Sequence, residues 1–178
     1  MTAGAAEGSR LPMTGGVKVV DLQPQPAAVV RAYVASSAIA DFLGSAFAEI
    51  MTALDEQDLT PAGLSFGRWQ PQGDGFDAEA GFPSTGPIVP AGRVQPQMLP
   101  GGLAATAVHR GDYADVRATY GVLYAWIAGH GYVPTGQPWG VLPGRTRRSR
   151  AENTGLRAVG LFEASAVSDS LLTHSTTT

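Results

Sequence analysis

The sequence predicts an α+β fold: a duplicated β-α-β-β unit forming an antiparallel sheet with two main helices, the second unit incomplete. Three observations lead there. Ile39-Ala40-Asp41-Phe42 returns as Tyr113-Ala114-Asp115-Val116 at an offset of 74 residues. Leu59-Thr60-Pro61-Ala62-Gly63 is echoed by Val133-Pro134-Thr135-Gly136 at nearly the same offset. Each copy also follows an apolar strand, Ala28–Val34 and then Leu103–His109. Self-similarity at a fixed spacing, with element order repeated, is the mark of a duplicated unit.

In chain order, residues 1–16 are rich in Gly, Ala and Ser and read as a disordered lead-in, with Met13 an alternative start to Met1. Residues 17–142 form the domain, unit one at 17–92 and unit two at 93–142. Val17–Leu22 and Ala27–Val34 are strand segments broken at Pro24 and Pro26, since proline gives no ladder hydrogen bond. Ser36 or Ser37 is the expected cap of a helix running to about Glu56, with Ile39, Phe42, Leu43, Ala46, Phe47, Ile50 and Leu54 on its buried face. Pro61–Trp69 and Phe76–Phe82 pair across a Gly73-Asp74-Gly75 turn. A Pro/Gly-rich connection leads to a strand at Arg93–Leu99.

Unit two repeats the scheme. After Pro100-Gly101-Gly102 comes the strand Leu103–His109, and Asp112 stands where a helix start needs an acceptor. Val116, Tyr120, Leu123 and Ile127 recur at helical spacing, and Gly129 and Gly131 end the helix. Composition then changes abruptly. Residues 143–178 read as a divergent or frame-shifted tail, four of the 11 arginines falling within 145–150. A candidate strand lies at 156–162, with Leu156, Ala158, Gly160 and Phe162 on one face and Arg157, Val159 and Leu161 on the other.

Pro-Gly-Gly, a strand ending His-Arg-Gly-Asp-Tyr and a helix running to Ala-Trp-Ile-Ala-Gly-His-Gly-Tyr-Val-Pro-Thr-Gly together resemble the GyrI-like effector-binding family. That family includes the ligand-binding domains of AraC- and MerR-type multidrug regulators and several stand-alone proteins. The resemblance is specific over 98–139, weaker over 15–97, and close to absent beyond Trp139. It implies a cytoplasmic bacterial protein that binds hydrophobic, planar, drug-like molecules, cationic ones included, in connection with multidrug binding and drug resistance.

Composition excludes several other classes. There is no cysteine, hence no disulfide, thiol catalysis or cysteine-bound metal. Between Met13 and Leu142 six basic residues stand against eleven acidic ones, a balance near −5 that disfavours a nucleic-acid surface. No run approaches the ~18 apolar residues of a membrane span, and no secretory leader is visible. His109, His130 and His174 are dispersed without ligand spacing, and His109 reads as a hydrogen-bonded strand end. There is no phosphate loop and no nucleophile elbow, so no metal and no cofactor is expected. Neither the lead-in nor the tail offers room for a helix-turn-helix.

What remains is aromatic. Phe66, Trp69, Phe76, Tyr113, Tyr124, Trp126 and Trp139 are the candidate ligand-binding residues. Flat faces and apolar walls hold drug-sized molecules, and the same rings equally fill a core. The resemblance places family pocket positions at Tyr113, Trp126 and Trp139. On the strand 76–82, Glu79 reads either as an acid drawing a cation into a pocket or as the wet face of a hairpin, and the alternation favours the wet face.

The resemblance also implies a hydrolase alternative, acting on DNA-alkylating cyclopropanoid compounds, in which Tyr113 is the catalytic tyrosine beside a glutamate that activates water. The glutamate is expected after a Pro-Trp pair. Here Pro138-Trp139 is followed by Gly140, which weighs against an enzyme. A further alternative is macromolecular interaction, with DNA gyrase or a transcription regulator as partner.

Overall fold

Two chain crossings organise the sheet, and each needs a particular residue. The computed structural model describes residues 16–110, 116–142 and 155–164. β1 (Lys18–Leu22) and β2 (Gln25–Ala35) are consecutive in sequence, yet β1 pairs with β6 (Gly102–Arg110) while β2 pairs with β4 (Gly75–Pro83) and β5 (Gln95–Leu99). The break expected at the prolines is thus a change of partner. β5 and β6 make the mirror-image change alongside. A Cβ on Gly101 would lie 2.5 Å from Pro24 Cδ and 2.7 Å from the Leu22 carbonyl oxygen, and Gly102 has φ +120°. Only glycine tolerates that approach and that dihedral.

With β3 (Phe66–Gln72), β7 (Tyr132–Val141) and β8 (Gly155–Ala164), the eight strands form one antiparallel sheet in the order β1-β6-β8-β7-β3-β4-β2-β5. Outward from the β7–β3 seam the order is β7-β8-β6-β1 on one side and β3-β4-β2-β5 on the other. The halves are related element by element, with their first strands exchanged. The expected duplication is present, but the second unit is not incomplete. β8 supplies its last strand from within the 143–178 tail and sits mid-sheet between β6 and β7.

Both helices cover one face. α1 (Ile39–Asp55) buries Phe42, Ala46, Ile50 and Leu54 against Ala28, Val30, Val34, Ala78 and Ala80. α2 (Val116–Gly129) buries Leu123 and Ile127 against Ala105, Ala107, Leu156, Ala158 and Phe162. Small strand residues under large helix residues let each helix sit close, and every such large side chain contributes about 1.5–3 kcal/mol. A Cβ at Gly160 would already come within 3.2 Å of Leu123 Cδ2. With its preceding turn, Ser36–Asp55 has the length and apolar composition of a membrane-crossing helix, contrary to the expectation that no run approaches that length. Its apolar stripe is used against the sheet.

The helix starts differ from expectation. Ser36–Ala38 forms a 3-10 turn, Ala38 occupies the cap position, and no side chain caps α1. Ser36 Oγ donates instead to the Asp74 carbonyl at 3.4 Å. At the other end, Asp58 takes a left-handed φ of 54° as the chain leaves the helix, a conformation short polar residues tolerate. The expected start of the second helix at Asp112 and Tyr113 lies outside the described residues.

Candidate functional site

The face turned away from the helices carries the third cluster: Ala27, Val29, Phe66, Leu99, Ala104, Trp139, Val159 and Leu161. This cluster spans the seam. β7 and β3 pair only at Phe66↔Val141 and Gly67↔Gly140. Beyond that, β3 continues against β4, while β7 bulges between Thr135 and Trp139, with Gly136 at φ +66°. The bulge parts the two strands and leaves an open cleft of about 560 Å³. Arg31, Tyr33, Arg68, Asp77 and Glu79 line it from one half, and Gln137 and Pro138 from the other. Gln137 Nε2 donates to Gln70 Oε1 at 2.6 Å across the gap.

A row of charges crosses three strands at this cleft. Arg31 on β2 and Arg68 on β3 both stand opposite Glu79 on β4. Arg31 Nε donates to Glu79 Oε2 at 2.7 Å, and Arg31 Nη2 donates to Gln97 Oε1 at 2.5 Å. Arg68 Nη1 lies 3.3 Å from Glu79 Oε1, a Coulombic contact without hydrogen-bond alignment. Arg68 Nε and Glu79 Oε1 are both buried and lack a hydrogen-bond partner. The Arg68 guanidinium also rests over the Trp139 ring, 5.3 Å from its centroid. Glu79 is only 7 % exposed, so the wet-face reading is overturned. The cross-strand register turns it toward the arginines.

At the rim, Tyr33 is 54 % exposed and donates its hydroxyl to Asp74 Oδ1 at 2.5 Å. That hydrogen bond holds the Asp74 carboxyl below its ordinary range and, with the same carboxylate's charge, raises the Tyr33 phenol. Tyr33 thus presents an exposed ring held at one end.

The ring residues singled out from the sequence fall into separate layers. Phe66 and Trp139 share the cluster beside the cleft. Trp69 borders the cleft through its strand, but its ring packs toward α1, edge-on to Phe42 at 6.4 Å. Phe76 lies beyond it on β4, half-buried. Tyr124 and Trp126 belong to α2 itself, half-buried against the cluster on the helix side of the sheet, where burial raises the Tyr124 phenol. Trp126 stacks on His130 at 4.0 Å and meets Phe162 at 6.2 Å. Tyr113 lies outside the described residues. His109 is buried, its Nδ1 2.8 Å from Thr119 Oγ1, a link between β6 and α2. Gly140 faces the helix side, where a Cβ would meet Leu156 Cδ1 at 2.9 Å, so this position directs nothing into the cleft.

Sequence reasoning missed Arg31, Tyr33, Arg68 and Gln137. A signal existed for the first: an arginine directly follows the buried apolar stretch Ala27–Val30 of that strand.

The family model for the GyrI-like small molecule binding domain matches residues 16–138. No curated protein matches the chain. Among solved structures, EcmrR in its DNA complex is similar with a TM-score of 0.73 and 18% identity, over 88% of this chain and 60% of that one. The EcmrR C-terminal domain alone gives 0.72 and 18%, over 86% and 99%. The chain thus spans about 60% of EcmrR as seen with DNA and nearly all of its C-terminal domain. A hydrolase from Listeria innocua gives 0.61 and 11%, over 83% and 91%. SAV2435 bound to tetraphenylphosphonium gives 0.56 and 11%, over 84% and 94%. At these identities the likeness is one of fold.

Proposed function

Because the chain belongs to the GyrI-like small molecule binding domain family, we propose that it binds a planar, hydrophobic small molecule in the cleft beside the β3–β7 seam, for sequestration or sensing. One observation carries this reading. Where the two halves part, a cavity of about 560 Å³ is lined by the exposed Tyr33 ring and by Arg68, whose guanidinium is layered on Trp139. That volume falls within the range of about 300–1,000 Å³ in which drug-sized ligands are held. Ala32, Pro71, Ala78 and Pro138 supply apolar lining, the buried Trp139 underlies Arg68, and Tyr33 offers a flat face at the mouth. Of the seven rings read from the sequence, Trp69 borders the cleft, and Phe66 and Trp139 lie in the buried cluster beneath it.

The same geometry gives hydrolysis no comparable support. Gly140 offers no carboxylate, and Glu79 is engaged by arginines rather than set to activate water.

A thermal-shift screen with planar aromatic compounds tests the proposal. A true ligand at 100 times its dissociation constant adds about 2.7 kcal/mol to stability. The shift is expected to shrink in Tyr33→Ala and in Trp139→Ala. Absence of any saturable shift, or shifts indifferent to both substitutions, would remove the cleft as the binding site. Chemical conversion of a compound that binds there would replace binding with catalysis.

A further inference from the structure

We infer that the cleft selects planar aromatic compounds bearing a carboxylate over cations of the same shape; this deepens, and rests on, the binding reading above. The inference begins with donors and acceptors. Arg31 and Arg68 each carry five N–H donors in a planar fork. Within the row they share a single carboxylate, Glu79, and Gln97 Oε1 takes one further bond from Arg31. Arg68 makes no aligned hydrogen bond to Glu79, and its buried Nε has no acceptor. Glu79 Oε1 is the row's one spare acceptor and faces Arg68 without alignment, so the N–H groups of the two guanidiniums still outnumber the acceptors around them. A ligand completes it by bringing acceptors.

Charge points the same way. Two guanidiniums flank one carboxylate, so the row itself carries one surplus positive charge, with Arg68 and Glu79 largely buried and Arg31 half in water. Asp77, the other carboxylate on the wall, is open to water as Arg31 is, and it stands opposite Tyr33 and Gln70, outside the row. Asp74 already accepts the Tyr33 hydroxyl. A cation approaching Glu79 meets two cations already paired there. A carboxylate instead accepts two parallel N–H groups from a guanidinium fork, the strongest neutral-pH pairing available to arginine. Its aromatic body is then left beside the exposed Tyr33 ring.

The test uses two tricyclic probes of one shape and opposite charge, acridine-9-carboxylate and 10-methylacridinium, titrated at neutral pH by their own fluorescence. The full chain is expected to bind the carboxylate about tenfold tighter or more, the scale of one charge-assisted hydrogen bond. Arg31→Gln is expected to erase that preference. The Arg31 side chain is 52% exposed, so this variant leaves the core untouched. Arg68→Met is expected to do the same, while Glu79→Gln keeps the carboxylate preferred. Tighter binding of the cation, or a preference unchanged in both arginine variants, overturns this inference and leaves the binding reading intact. No saturable signal from either probe removes both.

Discussion

The two halves of the sheet share a backbone plan but differ in what they place on the face away from the helices. On the helix side they are alike: alanines on the strands, with Ile50 and Leu54 above one half and Leu123 and Ile127 above the other, all near zero exposure. On the opposite side, β6 and β8 present Ala104, Val159 and Leu161, apolar and buried, with Thr106 beside them and the exposed Arg157 toward the edge of the cluster. β2, β3 and β4 begin the same way with Ala27, Val29 and Phe66, then change to Arg31, Tyr33, Arg68 and Glu79. One half keeps most of this face as core, and the other gives part of it to a charged row beside the cleft. Duplication thus supplies a stable frame in which one copy is free to diverge.

The largest test strikes the seam the halves share. Phe66→Ala is expected to cost about 3–5 kcal/mol in denaturant unfolding, because the ring is buried where β3 meets β7. A cost much below that would mean the halves unfold separately. The likeness of the helix sides is sharpened by a matched pair, Ile50→Ala and Leu123→Ala. Each is expected to cost about 2–5 kcal/mol, with one coincident transition by circular dichroism and tryptophan fluorescence. Two separated transitions would divide the sheet into independent units.

The divergent row is probed by Glu79→Ala, which leaves two guanidiniums facing each other. Loss of about 1–3 kcal/mol is expected, below the cost of breaking a fully buried pair because Arg31 is half in water. Restoring stability with Arg68→Met in the same chain would confirm that the cost is unpaired charge. The smallest effect is at the rim. The Asp74 carboxyl is held low by the Tyr33 hydroxyl, so its contribution is present above the unfolded carboxyl range and is lost as pH falls through the folded value. Tyr33→Phe is expected to raise the Asp74 titration in a carboxyl NMR titration and to flatten that acid-side loss. An unmoved titration would show that the hydrogen bond does not form in solution.

These comparisons also separate what was readable from what was not. The α1 face was readable because Phe42, Ala46 and Ile50 fall at helical spacing. The β3–β4 hairpin was readable because Gly73-Asp74-Gly75 marks a tight turn between apolar runs. β8 could be placed only as a candidate, since alternation in a short Leu-Arg-Ala-Val-Gly-Leu-Phe run is compatible with a strand anywhere in the sheet. The aromatic site was half readable. Phe66 and Trp139 share the buried cluster beside the cleft, while Tyr124 and Trp126 lie on α2 on the other side of the sheet, because ring chemistry alone does not tell a wall from a core.

By itself the sequence determined the two helices, the hairpin, the glycine and proline breaks and the doubling of the unit, because each depends on the conformational preferences of neighbouring residues. Only the tertiary structure decided that β1 crosses to the other half, that the seam opens at the β7 bulge, and that Arg31, Arg68 and Glu79 form one row. Those outcomes depend on cross-strand register. A shift of one residue would turn each of these charges to the helix side, and nothing within a single strand specifies which residue will stand opposite it.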